Sequence, residues 1–202
     1  IYWQHELSNP ELIKPGLLIN GKWIYDRPKQ NVTNPANNQL IATICEASTA
    51  DIDEAISNAS NGFNLWRAKT AKERSRILRE LYNLIIANSN DLAKIITLEA
   101  GKPLAEAKGE VTYGANYFEF FAEEAKRIYG DTIDANAPTQ RIIIRKEPVG
   151  VCAAITPWNF PNAMLARKVS AALAAGCSIL ARPSGQTPLS ALAIGHLALE
   201  AG

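Results

Sequence analysis

The run from Val149 to Ile155, bounded by Pro148 and Pro157, constrains the fold of this 202-residue chain more than any other stretch. An uninterrupted apolar segment of that kind reads as a strand buried on both faces of a parallel sheet. A loop carrying Trp158, Asn159 and Phe160 follows and is closed by Pro161. An alanine-rich helix then runs to Gly176, a second strand occupies Ser178 to Ala181, and Arg182-Pro183-Ser184-Gly185-Gln186-Thr187-Pro188 leads into another helix, with Thr187 as its N-cap and Pro188 in its first turn. Strand, helix and strand in that order make a βαβ unit, with the next crossover begun. Ligands bind at the carboxyl ends of the strands of such units. Both loops leave those ends.

Composition narrows the partners. With 47% apolar and 20% charged residues the chain is ordered and globular, and a net charge of +1 supplies no field to recruit nucleic acid or an anionic membrane. Cys45, Cys152 and Cys177 are odd in number, far apart and form no C-x-x-C pair, which fits a reducing compartment. His5 and His196 are the only histidines, too few for a His-rich metal site or an ordinary Cys/His dyad, so no metal is expected. No run approaches the roughly 20 apolar residues that span a bilayer. The N-terminal IYWQHELSNPELIKPG lacks an initiator Met and the charged-then-apolar pattern of a signal peptide. A cytoplasmic location is expected.

Upstream, Asn20-Gly21 between Leu17-Leu18-Ile19 and Lys22-Trp23-Ile24 predicts a hairpin. Leu40 to Cys45 is a second extended piece. Ser48 to Asp51 and Thr70 to Glu73 are capping boxes that open two helices. The first carries Ile52, Ala55, Ile56, Ala59 and Phe63 on one face; the second carries Ile77, Leu78, Leu81, Leu84 and Ile85, with Arg74, Arg76, Arg79 and Glu80 facing water. A third helix, Asp91 to Ala100, ends at Gly101, and Pro103 suits the first turn of a fourth that runs to about Ile128. Gly109 and Gly114 within it predict close helix packing. TQRIIIRK (Thr139 to Lys146) is extended, either an edge strand guarded by its charges or a strand that pairs with a partner subunit.

The two loops carry the candidate chemistry. The Asn159 amide can donate into a cleft, as in an oxyanion hole, or satisfy a local turn; spacing alone favours the turn. Arg167 is either a solvated helix cation or a guanidinium fork for a carboxylate. Arg182, Ser184 and Gly185 together could hold a ribose or phosphate, although no G-x-G-x-x-G follows the first strand. Cys152 and Cys177 read as packing residues.

EPVGVCAAITPWNFPNAMLARKVSAALAAGCSILARPSGQTP resembles the N-terminal half of the aldehyde dehydrogenase superfamily, most closely its succinate-semialdehyde members. LINGKWI, NPANNQLIATI and LEAGKPLAEAKGEVTYGANYFEFFAEEAKRIYG resemble the family in the same order. The resemblance implies an α/β fold: N-terminal hairpin and helical segments over residues 1–138, an extended oligomerisation element over 139–148, and the first βαβ part of a Rossmann-like sheet over 149–202. It implies NAD(P)-dependent oxidation of an aldehyde to an acid through a cysteine thiohemiacetal. Asn159 matches the oxyanion donor, Arg167 the arginine that holds the distal carboxylate of succinate semialdehyde, and Ile155, Thr156, Pro157 and Trp158 the strand end along the cofactor. Arg182 replaces the family's usual lysine, and Gly185 stands where NAD-preferring relatives carry glutamate, so NADP or NAD is expected, with Arg182, Ser184 and Gly185 at its ribose. The family's nucleophile and general base match nothing in the 202 residues. The chain alone is therefore expected to be inactive, a fragment of a homodimeric or homotetrameric enzyme acting on a small aldehyde. The other reading is a non-catalytic nucleotide-binding or assembly module.

Overall fold

Asn20 and Gly21 turn the first hairpin with positive φ angles of 51° and 70°, the backbone that a tight turn between twisted strands demands. They join β1 (Leu17–Ile19) to β2 (Lys22–Ile24) in antiparallel register. The computed structural model describes residues 3–202, so Ile1 and Tyr2 lie outside it. A second antiparallel pair, β3 (Lys29–Thr33) and β4 (Leu40–Cys45), buries Val32, Ile41, Ala42 and Ile44.

Helices α1 (Thr49–Arg67) and α2 (Ala71–Ala87) both open on the expected reciprocal capping boxes. Helix α3 (Ser89–Ala100) ends at Gly101, whose φ of 70° suits glycine. Helix α4 (Leu104–Glu124) gives way to a 3₁₀ turn at Ala125–Arg127, slightly before the expected end near Ile128. Strands β5 (Asp131–Asp134) and β6 (Arg141–Ile144) form an exposed antiparallel ribbon. The βαβ unit follows as β7 (Val151–Ile155), α5 (Ala163–Ala175) and β8 (Ser178–Arg182), with Val151 to Ile155 paired in parallel with Ser178 to Arg182. Helix α6 (Leu189–Ala201) closes the described chain.

The core lies among α2 to α6, where Leu78, Leu81, Ile85, Ile95, Ile96, Phe118, Leu189 and Leu197 are fully buried. Each such side chain contributes about 1.5–3 kcal/mol of transfer free energy. Residues before Asp131 and residues of α5 and α6 share this core. Gly114 allows α4 to approach α5: a Cβ there would collide with Asn162 Oδ1 and lie 3.2 Å from Ala163 Cα. Gly109 has nothing within 4 Å of its Cβ position, so the expectation of close packing holds for one glycine and not the other.

Several expectations are corrected. The apolar stripe of α1 is not a core face: Ile52 and Ile56 remain 49% and 46% exposed, because the helix packs mainly on the narrow strands β1, β7 and β8, with Trp66 at its end reaching the Leu173 carbonyl of α5. Arg74 does not face water. It is buried, and its guanidinium donates to the carbonyls of Ala174 at 3.2 Å and Lys69 at 2.6 Å, serving the last turn of α5. Arg79 is paired, reaching Glu119 at 2.6 Å and Glu123 at 2.8 Å. Strand β7 is not buried on both faces: Val151 and Ile155 are 38% and 70% exposed, and β8 is its one neighbour among the described residues. Thr187 does not cap α6. The helix starts one residue later, after Pro188, and the Thr187 hydroxyl is buried without a hydrogen-bond partner.

Candidate functional site

The parallel ladder ends with Ile155 opposite Arg182, and the Thr156 N–H donates to the Arg182 carbonyl at 3.1 Å. This bond ties the two candidate loops together at their roots. Ile155, Thr156 and Arg182 are thus brought side by side, as the sequence predicts. Thr156 is buried, whereas the Arg182 side chain is exposed and makes no hydrogen bond among the described residues.

The first loop is held from behind by α4 and the segment before it. Lys102 donates to the Asn159 carbonyl at 3.0 Å, lies 3.8 Å from the centre of the Phe160 ring, and pairs with Glu110. A cation over an aromatic face is attracted by the ring quadrupole. Glu110 Oε1 in turn accepts from the Asn162 N–H at 2.9 Å and the Ala163 N–H at 3.2 Å, the first amides of α5. Helix α5 has no capping side chain of its own, so a carboxylate from another helix satisfies its open donors and meets the positive end of its dipole. The Asn159 side-chain amide makes no hydrogen bond among the described residues and is exposed, beside Pro157 and Trp158.

The second loop repeats the device. Gln30 donates to the Gly185 carbonyl at 3.1 Å, and a Cβ on Gly185 would lie 2.7 Å from Gln30 Nε2, so a larger residue there would have to push that side chain aside. Ser184 makes bonds within the loop only, accepting from the Gln186 N–H at 3.3 Å and offering its carbonyl to Thr187 at 3.2 Å. Glu99, at the end of α3, accepts from the Leu189 N–H at 2.7 Å, the Ser190 N–H at 2.8 Å and the Ser190 hydroxyl. Burial pushes the Glu99 carboxyl up to about 7; these hydrogen bonds oppose the rise, and the nearby Glu110 charge adds to it. Glu99, Gln30, Trp158, Gly185 and Thr187 line a cavity of about 520 Å³ beside β3.

Arg167 lies on α5, half-buried, with Nη2 2.7 Å from the Met164 sulfur. Across from it on α4, the hydroxyls of Tyr113 and Tyr117 are 2.5 Å apart. The Tyr113 hydroxyl draws the Tyr117 phenol below its ordinary value, and Arg167 acts in the same direction. The structure thus sets the candidate carboxylate fork beside two phenols, on the same helix whose N-terminus follows Asn159.

None of the three cysteines is exposed. Cys45 and Cys177 are buried, and burial together with Cys177 pushes the Cys152 thiol up, away from reactive thiolate. No cluster of metal-ligating side chains is found among the described residues, nor is any described helix long and apolar enough to cross a membrane.

Lys102, Glu110 and Glu99 are absent from the sequence-based set of candidates. One signal could have found the two acids. Glu110 falls on the same helical stripe as Ala107, Val111 and Gly114, and Glu99 on that of Ile95 and Ile96. A carboxylate on an apolar stripe needs a buried partner.

Comparison with known proteins agrees with this geometry. The model of the aldehyde dehydrogenase family matches residues 23–202. The chain is 51% identical over 199 residues to a glutarate-semialdehyde dehydrogenase of Pseudomonas putida, covering 98% of this chain and 42% of that protein. It is 49% identical over 199 residues to an NADP(+) succinate-semialdehyde dehydrogenase of Escherichia coli, covering 98% of this chain and 41% of that one. The crystal structure of an aldehyde dehydrogenase from Brucella melitensis biovar abortus superposes with a TM-score of 0.96 at 55% identity, over 97% of this chain and 41% of its own. The chain thus spans about two fifths of the length of these relatives. With the family model spanning most of its length and its fold shared, the chain belongs to the aldehyde dehydrogenase family.

Proposed function

We propose that residues 1–202 are the N-terminal part of an NAD(P)-dependent dehydrogenase that oxidises a semialdehyde with an anionic far end, succinate semialdehyde foremost, to the corresponding acid. One observation carries the reading. Asn159 is pinned by its backbone carbonyl while its side-chain amide stays unbonded at the carboxyl end of β7. An amide fixed in place with its donors uncommitted is what oxyanion stabilisation requires, since the donors need no reorganisation as charge develops. Arg167 would hold the distal carboxylate through its planar fork, and the glutarate- and succinate-semialdehyde dehydrogenases described above are named for semialdehydes that both carry one. The reacting thiol and the general base would come from outside these 202 residues.

The donor set at the strand ends fits a dinucleotide. Ile155 and Trp158 are 70% and 55% exposed and offer apolar surface to a flat ring, Arg182 is an uncommitted cation, and Gly185 leaves no carboxylate to repel a 2′-phosphate. Ile155 to Trp158 would line the cofactor, with Arg182, Ser184 and Gly185 at its ribose. Bound there, the nicotinamide would supply the hydride acceptor. The E. coli relative uses NADP(+), and the same preference, or dual use, is the reading here. Comparing Kd for NAD and NADP in the full-length enzyme tests it, and a clear preference for NAD overturns it.

Strands β5 and β6 support a homo-oligomer, dimer or tetramer. Ile133, Ile142, Ile143 and Ile144 are 39–72% exposed on a two-stranded ribbon, an apolar surface that is stable where another subunit covers it. The absence of C-x-x-C pairs fits a reducing, cytoplasmic setting. For the substrate, Arg167→Ala in the full-length enzyme should raise KM for succinate semialdehyde far more than for an uncharged aldehyde; equal effects on both remove Arg167 from the site.

A further inference from the structure

Four of the five residues from Asn159 to Ala163 are held by one ion pair. Lys102 touches Asn159 through its carbonyl and Phe160 through its ring; Glu110 takes the N–H groups of Asn162 and Ala163. The pair is buried, with side-chain exposures of 13% for Lys102 and 1% for Glu110. Gly114 completes the seat by letting the Asn162–Ala163 backbone lie against α4. We propose that Lys102 and Glu110 are positioning residues that fix the Asn159 amide where the oxyanion forms. The proposal rests on the reading of Asn159 as the oxyanion donor.

The chemistry of the restraint is specific. An ordinary cap on α5 would need a carboxylate alone, as Glu99 shows at α6. Here a cation is added, and it does not bond any α5 amide. It spends its remaining donors on the carbonyl and the neighbouring ring of the residue pair that carries the reactive amide. Because both contacts avoid the Asn159 side chain, they set its Cα and the plane of its peptide while leaving the amide free. The ammonium has three donors, and Glu110, the Asn159 carbonyl and the Phe160 ring occupy them. A displacement near 1 Å in a group that stabilises a transition state costs about 100-fold in rate. Holding a loop residue from a packed helix prevents that displacement.

A double-mutant cycle in the full-length enzyme that carries this segment tests the proposal. Lys102→Met should lower kcat about 10- to 100-fold, with KM for the aldehyde and Kd for NADP changed less than about twofold. Lys102→Arg keeps the charge and the donors and should restore most of kcat. In an Asn159→Ala background, Lys102→Met should alter kcat by less than about twofold, because there is no amide left to position. An equal loss in both backgrounds, or an unchanged kcat in the first, overturns the positioning role. If Lys102→Met does not fold, Glu110→Gln supplies the same cycle, since it keeps an acceptor for the two amides and removes the ion pair. A full kcat in Asn159→Ala alone overturns the oxyanion reading instead, and the positioning role falls with it.

Discussion

Helices α5 and α6 begin directly after the two candidate loops, and both are capped by a glutamate from elsewhere, yet the two caps differ in one respect. Glu110 at α5 has Lys102 beside it; Glu99 at α6 has no cation within ion-pair distance among the described residues. Both carboxylates are buried and each accepts two main-chain N–H groups. The difference shows that amides, one hydroxyl and a helix dipole suffice to hold an acid in the interior without a cation, at the cost of a carboxyl raised to about 7. The added lysine is therefore not needed for capping. Its second bond, to the loop that carries Asn159, is what it adds.

Removing the paired acid should have the largest effect. Glu110→Leu leaves two buried N–H groups and the Lys102 ammonium unpaired. Breaking one side of a buried pair costs about 3–5 kcal/mol, so denaturant unfolding should show a loss of that size. A loss below about 1 kcal/mol, the value of an exposed pair, would show that the pair behaves as a surface bridge and would dissolve the contrast with Glu99.

The unpaired acid should instead show itself through pH. The folded-state value of Glu99 is about 7, above its ordinary 4.5. The folded protein therefore binds this proton more tightly than the unfolded chain, and the associated stability is present below about pH 4.5 and lost as pH rises through 7. The difference corresponds to about 3 kcal/mol across that window. Glu99→Gln cannot ionise and keeps one of the two acceptor oxygens, so it should lower stability overall while flattening the slope between those limits. A slope unchanged by Glu99→Gln would assign it to another group.

These caps also mark what the sequence made legible. The boxes at Ser48/Asp51 and Thr70/Glu73 close within four residues, and both were readable because donor and acceptor are neighbours in the chain. So were the Asn20-Gly21 turn, the left-handed ends at Gly101 and Gly176, and the β7–α5–β8 order. The caps of α5 and α6 come from residues 52 and 90 positions away, and no local pattern announces them. Expecting Thr187 to cap α6 followed local rules correctly and failed because Glu99 already filled the place. Similarly, Arg74 resembled its solvated neighbours until the end of α5 arrived beside it. At the candidate site, Asn159 and Arg167 are proposed from motif, whereas Lys102 and Glu110, which hold the loop, required the packing of α4 on α5.

The smallest effect tests whether that packing, rather than charge alone, sets the α5 end. Gly109 and Gly114 both interrupt α4, and each should cost up to about 1 kcal/mol relative to Ala in a helix. Gly109→Ala has open space at its Cβ and should stabilise the protein by about that amount. Gly114→Ala drives a methyl into Asn162 and Ala163, the residues that Glu110 caps. Overpacking of this kind costs about 1–3 kcal/mol, which outweighs the propensity gain, so the two alanines should shift Tm in opposite directions. If both raise it, α5 yields to α4 without penalty. The seat of the Asn159 loop would then be defined by the Lys102–Glu110 pair alone, and Gly114 would have no part in it.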